Sequence, residues 1–156
     1  MTFRPCKPAE EVAFTRFATA KALAEALSSS DEDEQRAAWG AMKEIGHVKS
    51  SFYDWMQSDA YFHERSGDIL FIGLQETFEA DIDLMRLNDW VPQTTRLPTD
   101  EVKAHRMPSR FDSSLSEQAI ANLQSWYAAD IGFYQTCLTW RSQHWPDSAA
   151  PDYERV

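Results

Sequence analysis

Four clusters of side chains in this chain could do chemistry. Lys103, His105, Arg106 and Arg110 form its densest basic group. Such a group can grip a phosphate or sulfate through charge-assisted hydrogen bonds; in an acidic chain it equally reads as a scatter of surface charges. His47 stands at a helix junction, with Lys49, Phe52, Tyr53 and Trp55 close behind. An imidazole there can act as a general base or contact a substrate, and it can also be a packed junction histidine. Glu76 falls where an apolar run gives way to a helical pattern, the junction at which α/β proteins place functional groups. Its competing role is a structural carboxylate bonding backbone amides. Glu44 and His47 have the Glu-x-x-His spacing of carboxylate-bridged metal bundles. Those sites need two such pairs and this chain has one, so no metal is assigned.

Other chemistries find no motif. The five glycines (40, 46, 67, 73 and 132) never cluster, which leaves no phosphate-cradling loop and no dinucleotide fingerprint. There is no Gly-x-Ser-x-Gly and no zinc-ligand spacing. The net charge of −10 argues against nucleic acid and anionic membrane as general partners. No apolar run reaches membrane-spanning length. Cys6 and Cys137 belong to no Cys/His pairing motif. That fits a reducing compartment and a cytoplasmic protein, with a single disulfide as the other reading.

The elements that must position these residues are mostly helical. The chain has 156 residues, 13% of them aromatic, enough to bury a core in one domain over 1–145, followed by a polar tail over 146–156. A first helix opens at Pro8 with Val12, Phe14 and Phe17 on its apolar side. Thr19 can cap a second, with Leu23, Ala24 and Leu27 on one face. Asp31 and Glu34 have capping-box spacing for a third, which carries Ala38, Met42 and Ile45 beside Trp39 and stops at Gly46. Val48, Phe52 and Trp55 repeat at helical spacing in a fourth. Ile69 to Leu74 is a short apolar run after Gly67-Asp68 and predicts a strand buried on both faces. Phe78, Ile82 and Met85, widened by Leu84 and Leu87, then predict an amphipathic helix. Residues 91–113 lose all periodicity, apart from a possible short strand over Thr94 to Leu97. Ser114 with Glu117, or Ser116 in competition, caps the longest pattern: Ile120, Leu123, Tyr127, Ile131, Tyr134 and Leu138, running to about residue 142 and bending near Gly132.

The order of these segments resembles the C-terminal half of the sulfotransferase family, especially bacterial relatives of the carbohydrate enzymes. The resemblance is carried by Ile-Gly-His47-Val48-Lys49-Ser50-Ser51-Phe52-Tyr53-Asp54-Trp55, then by Leu70-Phe71-Ile72-Gly73-Leu74-Gln75-Glu76-Thr77-Phe78-Glu79-Ala80-Asp81, then by Leu115-Ser116-Glu117 and the helix with Asp130 and Tyr134. It implies a mostly α chain with one or two strands, the C-terminal portion of a P-loop-like α/β sulfotransferase fold. The implied activity is transfer of a sulfuryl group from 3′-phosphoadenosine 5′-phosphosulfate to a hydroxyl acceptor. It would set Lys103, Arg106 and Arg110 near the nucleotide, and His47 on the acceptor side. The family's glycine-containing donor loop, its Arg/Ser motif and its catalytic base have no counterpart in these residues. The expectation is therefore a sulfotransferase-like chain that is inactive alone. Its partner would be a separate N-terminal half or a second copy. The alternative is a non-enzymatic helical module that docks a partner through an unpaired strand and an aromatic surface.

Overall fold

The computed structural model describes residues 8–56, 58–98, 114–146 and 148. In chain order the helices are α1 (Pro8–Arg16), α2 (Ala20–Ala26), α3 (Glu32–Glu44), α4 (Gly46–Lys49), α5 (Phe52–Met56), α6 (Asp59–Arg65), α7 (Phe78–Leu87), α8 (Glu117–Trp126) and α9 (Ala128–His144). The mostly helical class is thus observed. Neither predicted strand forms among the described residues: Ile69 to Leu74 is non-helical but joins no ladder. At Thr94 to Leu97, a turn bond from Thr95 N–H to the Pro92 carbonyl (2.9 Å) replaces pairing. No described helix is long and apolar enough to cross a membrane.

The described residues of Met1–Tyr61 and Asp112–Phe133 form one compact unit, and those of Phe62–Phe111 and Tyr134–Val156 a second. In the first, α3 packs against α1 and α2, and α2 against α8. Ala13, Phe17, Ala26, Leu27, Ala38, Ala41, Met42 and Ile45 make the core. Half of these are alanines, which let the helix backbones approach closely and leave Met42 to fill the space between them. Val12 and Phe14, expected on the inner side of α1, are exposed instead, at 68% and 55%. The inward stripe of α1 is Ala13 and Phe17, four residues apart.

Helix starts follow local chemistry. Thr19 accepts the Ala22 N–H at 3.0 Å, and Asp31 accepts those of Asp33 and Glu34 at 2.9 and 3.1 Å. The capping box of α3 is not reciprocal, because Glu34 takes the Ser29 hydroxyl instead. Ser116 wins the competition to cap α8, accepting the Ala119 N–H at 3.2 Å and donating to Glu25. The long C-terminal pattern divides at Tyr127 (φ −102°, ψ 26°), not at Gly132. Helix α3 ends at Glu44, two residues before Gly46; Ile45 turns extended, and the Gly46 N–H is taken by Glu10 at 3.3 Å.

In the second unit α7 ends in a Schellman motif. The Trp90 N–H bonds the Met85 carbonyl and the Asp89 N–H bonds that of Arg86, both at 3.0 Å. Asp89 occupies the left-handed position at φ 58°, which short polar side chains tolerate. The reversal brings Trp90 against Phe71 and Trp145, with ring centroids 5.9 and 5.1 Å away.

Candidate functional site

The second unit is built around the non-helical segment Ile69–Leu74, whose backbone is held by side chains. Asp81 is the buried residue of α7, and its carboxylate accepts the Leu74 N–H (2.8 Å) and the Thr77 hydroxyl (2.9 Å). Arg141 of α9 donates to both Asp81 oxygens, at 2.8 and 2.5 Å, and to the Ile72 carbonyl at 2.9 Å. Its guanidinium also lies 5.0 Å from the centre of the Phe71 ring, within cation–π range. Trp145 donates its indole N–H to the Leu70 carbonyl at 3.1 Å. Burial by itself would push the Asp81 carboxyl up. The Arg141 hydrogen bonds, with those of Leu74 and Thr77 and the Arg141 charge, outweigh it and hold Asp81 below the ordinary carboxylate range.

Glu76 stands in the turn between this segment and α7, and its carboxylate accepts the Tyr134 hydroxyl at 3.1 Å. Its observed partner is thus a helix side chain, not a backbone amide. In the same unit, Phe62, His63, Ser66, Thr139, Trp140 and His144 help line a groove of about 390 Å³. The His144 ring stacks on Trp140 at 4.2 Å, and its Nδ1 meets the Trp140 carbonyl at 2.8 Å.

The first unit places His47 on α4, exposed, with no hydrogen bond among the described residues. Glu44 and His47 are separated by the extended Ile45, so they share no helix face. The neighbours of His47 are the organised part. The Tyr127 hydroxyl donates to the Val48 carbonyl at 2.6 Å. Asp130 accepts the Ser51 hydroxyl at 2.7 Å and the Tyr53 N–H at 2.9 Å, and Ser51 accepts the Asp54 N–H. Together they satisfy two of the first amide donors of α5, those of Tyr53 and Asp54. Phe52 and Trp55, which repeat with Val48 at helical spacing, are 69% and 75% exposed and meet edge to face at 6.3 Å. Helix α5 is a single short turn whose orientation Asp130 fixes, and that orientation turns both rings outward.

Burial raises the Tyr127 phenol above its ordinary value, and the Asp130 charge adds to the effect. Asp130→Ala is expected to cost about 1–2 kcal/mol, the loss of a charged cap, measured by chemical denaturation. The Tyr127 phenol should fall toward, but not reach, its ordinary pKa, read by NMR titration of the ring. An unchanged phenol would show that the Asp130 charge does not reach it.

Lys103, Arg106 and Arg110 lie outside the described residues, as does His105. The two residues that organise the second unit, Asp81 and Arg141, were not singled out from the sequence. Their signal is present: Asp81 falls within the apolar stripe between Phe78 and Met85, and Arg141 continues the stripe of Tyr134 and Leu138. Opposite charges on two inward stripes must meet, since a lone buried charge is too costly. Comparison with protein-family models, curated proteins and solved structures returned no match to this chain.

Proposed function

We propose that this chain is sulfotransferase-like, corresponding to the C-terminal half of that fold, and that these 156 residues have no sulfuryl-transfer activity by themselves. One observation carries the reading. Tyr134 and Glu76, which lie in two separate segments on which the resemblance rests, are hydrogen-bonded partners at 3.1 Å. The described residues alone do not fit the nucleotide donor. No glycine among them has a positive φ to shape an anion-binding nest. The buried Arg141 is committed to Asp81 and Ile72, and Arg86 to Asp83 and the Thr95 carbonyl. Sulfuryl transfer needs donors aimed at the oxygens of the moving group and a base for the acceptor hydroxyl. Neither is assembled among these residues, and no transfer step is assigned to them.

The expected result is no turnover when the purified chain is incubated with the sulfonate donor and a panel of hydroxyl acceptors. Turnover would contradict the proposal. Calorimetric titration with 3′-phosphoadenosine 5′-phosphate then tests the basic cluster. Binding that disappears in Arg106→Ala and Arg110→Ala would assign these arginines a nucleotide contact.

The second reading is a helical interaction module that docks a partner, with no chemistry of its own. It is favoured by the outward-facing pair Phe52 and Trp55 and by Leu70, which is 61% exposed in the extended segment.

A further inference from the structure

We infer that one backbone edge of Ile69–Leu74 is a docking site for an extended strand of another polypeptide, apolar in its middle and basic at its ends. This deepens the second reading above and rests on it. In an extended chain, successive residues direct their backbone groups to opposite edges. Leu70, Ile72 and Leu74 point to one edge, where Trp145, Arg141 and Asp81 take the carbonyl of the first two and the N–H of the third. Phe71 and Gly73 point to the other. Their N–H and C=O groups make no hydrogen bond among the described residues. The side chains therefore act as a substitute for a neighbouring strand on one edge. They hold alternate residues of the segment and leave the backbone groups of Phe71 and Gly73 without a hydrogen bond among the described residues. Gly73 is exposed, so its backbone can be approached without displacing a side chain. This is the arrangement that β-augmentation uses: main-chain bonds supply affinity to a template that is already ordered.

Charge selects the occupant. A second copy, pairing antiparallel with Phe71 opposite the other copy's Gly73, would satisfy the backbone. Asp68, closing a 3-10 turn, and Glu76, in the turn before α7, flank the two ends of the segment, so antiparallel self-pairing brings the Asp68 end of each copy toward the Glu76 end of the other. Asp68 is offset by Arg65 at 2.6 Å, but among the described residues Glu76 is hydrogen-bonded only by the neutral Tyr134 hydroxyl, and each chain carries −10. Like charges facing each other across strands are destabilising. A strand with a lysine or arginine facing Glu76 gains where self-pairing loses.

The test uses the full chain, isotopically labelled, and three blocked peptides. One is Lys-Val-Thr-Val-Thr-Val-Lys, one has glutamates in place of the lysines, and one is the lysine peptide N-methylated at alternate residues. The lysine peptide is expected to slow amide exchange at Phe71 and Gly73 without altering Leu74, which Asp81 already holds. The glutamate peptide should bind about tenfold more weakly, the value of roughly one favourable charge contact. N-methylation on the pairing edge should abolish the effect. Gly73→Pro, which removes an N–H with no partner of its own, should also abolish it; the N-methylated peptide keeps the test valid if that variant misfolds. Three results would overturn the inference. Protection of Phe71 and Gly73 that grows with chain concentration and no peptide would assign the edge to self-pairing. Peptide binding that perturbs Phe52 and Trp55 but not Phe71 and Gly73 would move the docking site and leave the docking reading standing. No peptide binding at any residue would remove both.

Discussion

Replacing Asp81 by Asn is expected to destabilise the protein by about 3–5 kcal/mol, because it leaves a buried guanidinium without its counter-charge. The side chains of Asp81 and Arg141 are each only 3% exposed. Asparagine can keep an acceptor for the Leu74 N–H and the Thr77 hydroxyl, but its NH2 replaces the oxygen that accepts from Arg141 Nη2, so the loss combines the charge with that bond. A double variant, Asp81→Leu with Arg141→Met, should recover much of the loss, since well-packed apolar side chains often replace a buried ion pair at little cost. The measurement is the chemical-denaturation midpoint of the three variants. A single-variant loss below about 1 kcal/mol, the range of exposed ion pairs, would mean that the pair is solvated. The pH dependence has a definite sign. The folded carboxyl of Asp81 lies below its ordinary value. Its contribution is therefore complete above the unfolded pKa of about 3.9 and drains away as pH falls from there through the folded value. The natural chain should lose stability steeply below roughly pH 4, with a shallower acid limb in Asp81→Asn.

Met42→Ala is expected to cost about 2–5 kcal/mol, the transfer energy of the lost side chain plus the cavity left behind. Met42 is 2% exposed and packed within a core of Ala13, Phe17, Ala26, Leu27, Ala38, Ala41 and Ile45. Alanines cannot collapse into the vacated space by changing rotamer, which places the cost toward the upper part of that range. Met42→Leu, nearly equal in volume, should cost less than about 1.5 kcal/mol. Equal losses for the two variants would show that the core repacks freely around position 42.

Most of the helical framework was legible from capping chemistry and apolar spacing. Thr19, Asp31 and Ser116 cap as their types and positions predict, because a cap depends on groups within three residues of each other. The inward faces of α1 and α5 were not legible. Val12, Phe14, Phe52 and Trp55 are apolar and exposed, and hydrophobicity does not tell an inner face from an outward one on elements this short. The break at Tyr127 escaped the 3.6-residue pattern because the stripe continues through it in register; what marks it is the phenol's bond to the distant Val48 carbonyl.

The apolar run over Ile69 to Leu74 was correctly legible as non-helical and incorrectly as a paired strand. Composition predicts a segment buried on both faces, whereas only Leu74 is fully buried and Leu70 and Gly73 are exposed; pairing and burial both depend on what lies beside it. Here side chains from α7, α9 and Trp145 take the place of a neighbouring strand. Of the residues that the sequence put forward for function, His47 is exposed and without hydrogen bonds among the described residues. The order around it comes instead from Tyr127 and Asp130, about 80 residues further on. Such long-range pairs leave no local spacing to read.

Amide hydrogen exchange along residues 69–74 of the isolated chain tests the central claim most directly. A segment locked on one edge and open on the other should show a protected Leu74 N–H, held by Asp81 at 2.8 Å, beside fast exchange at Phe71 and Gly73. Asp81→Asn should keep the Leu74 acceptor but weaken its protection. Comparable protection at Phe71, Gly73 and Leu74 at low chain concentration would contradict the account, because it would mean that both edges of the segment are already paired.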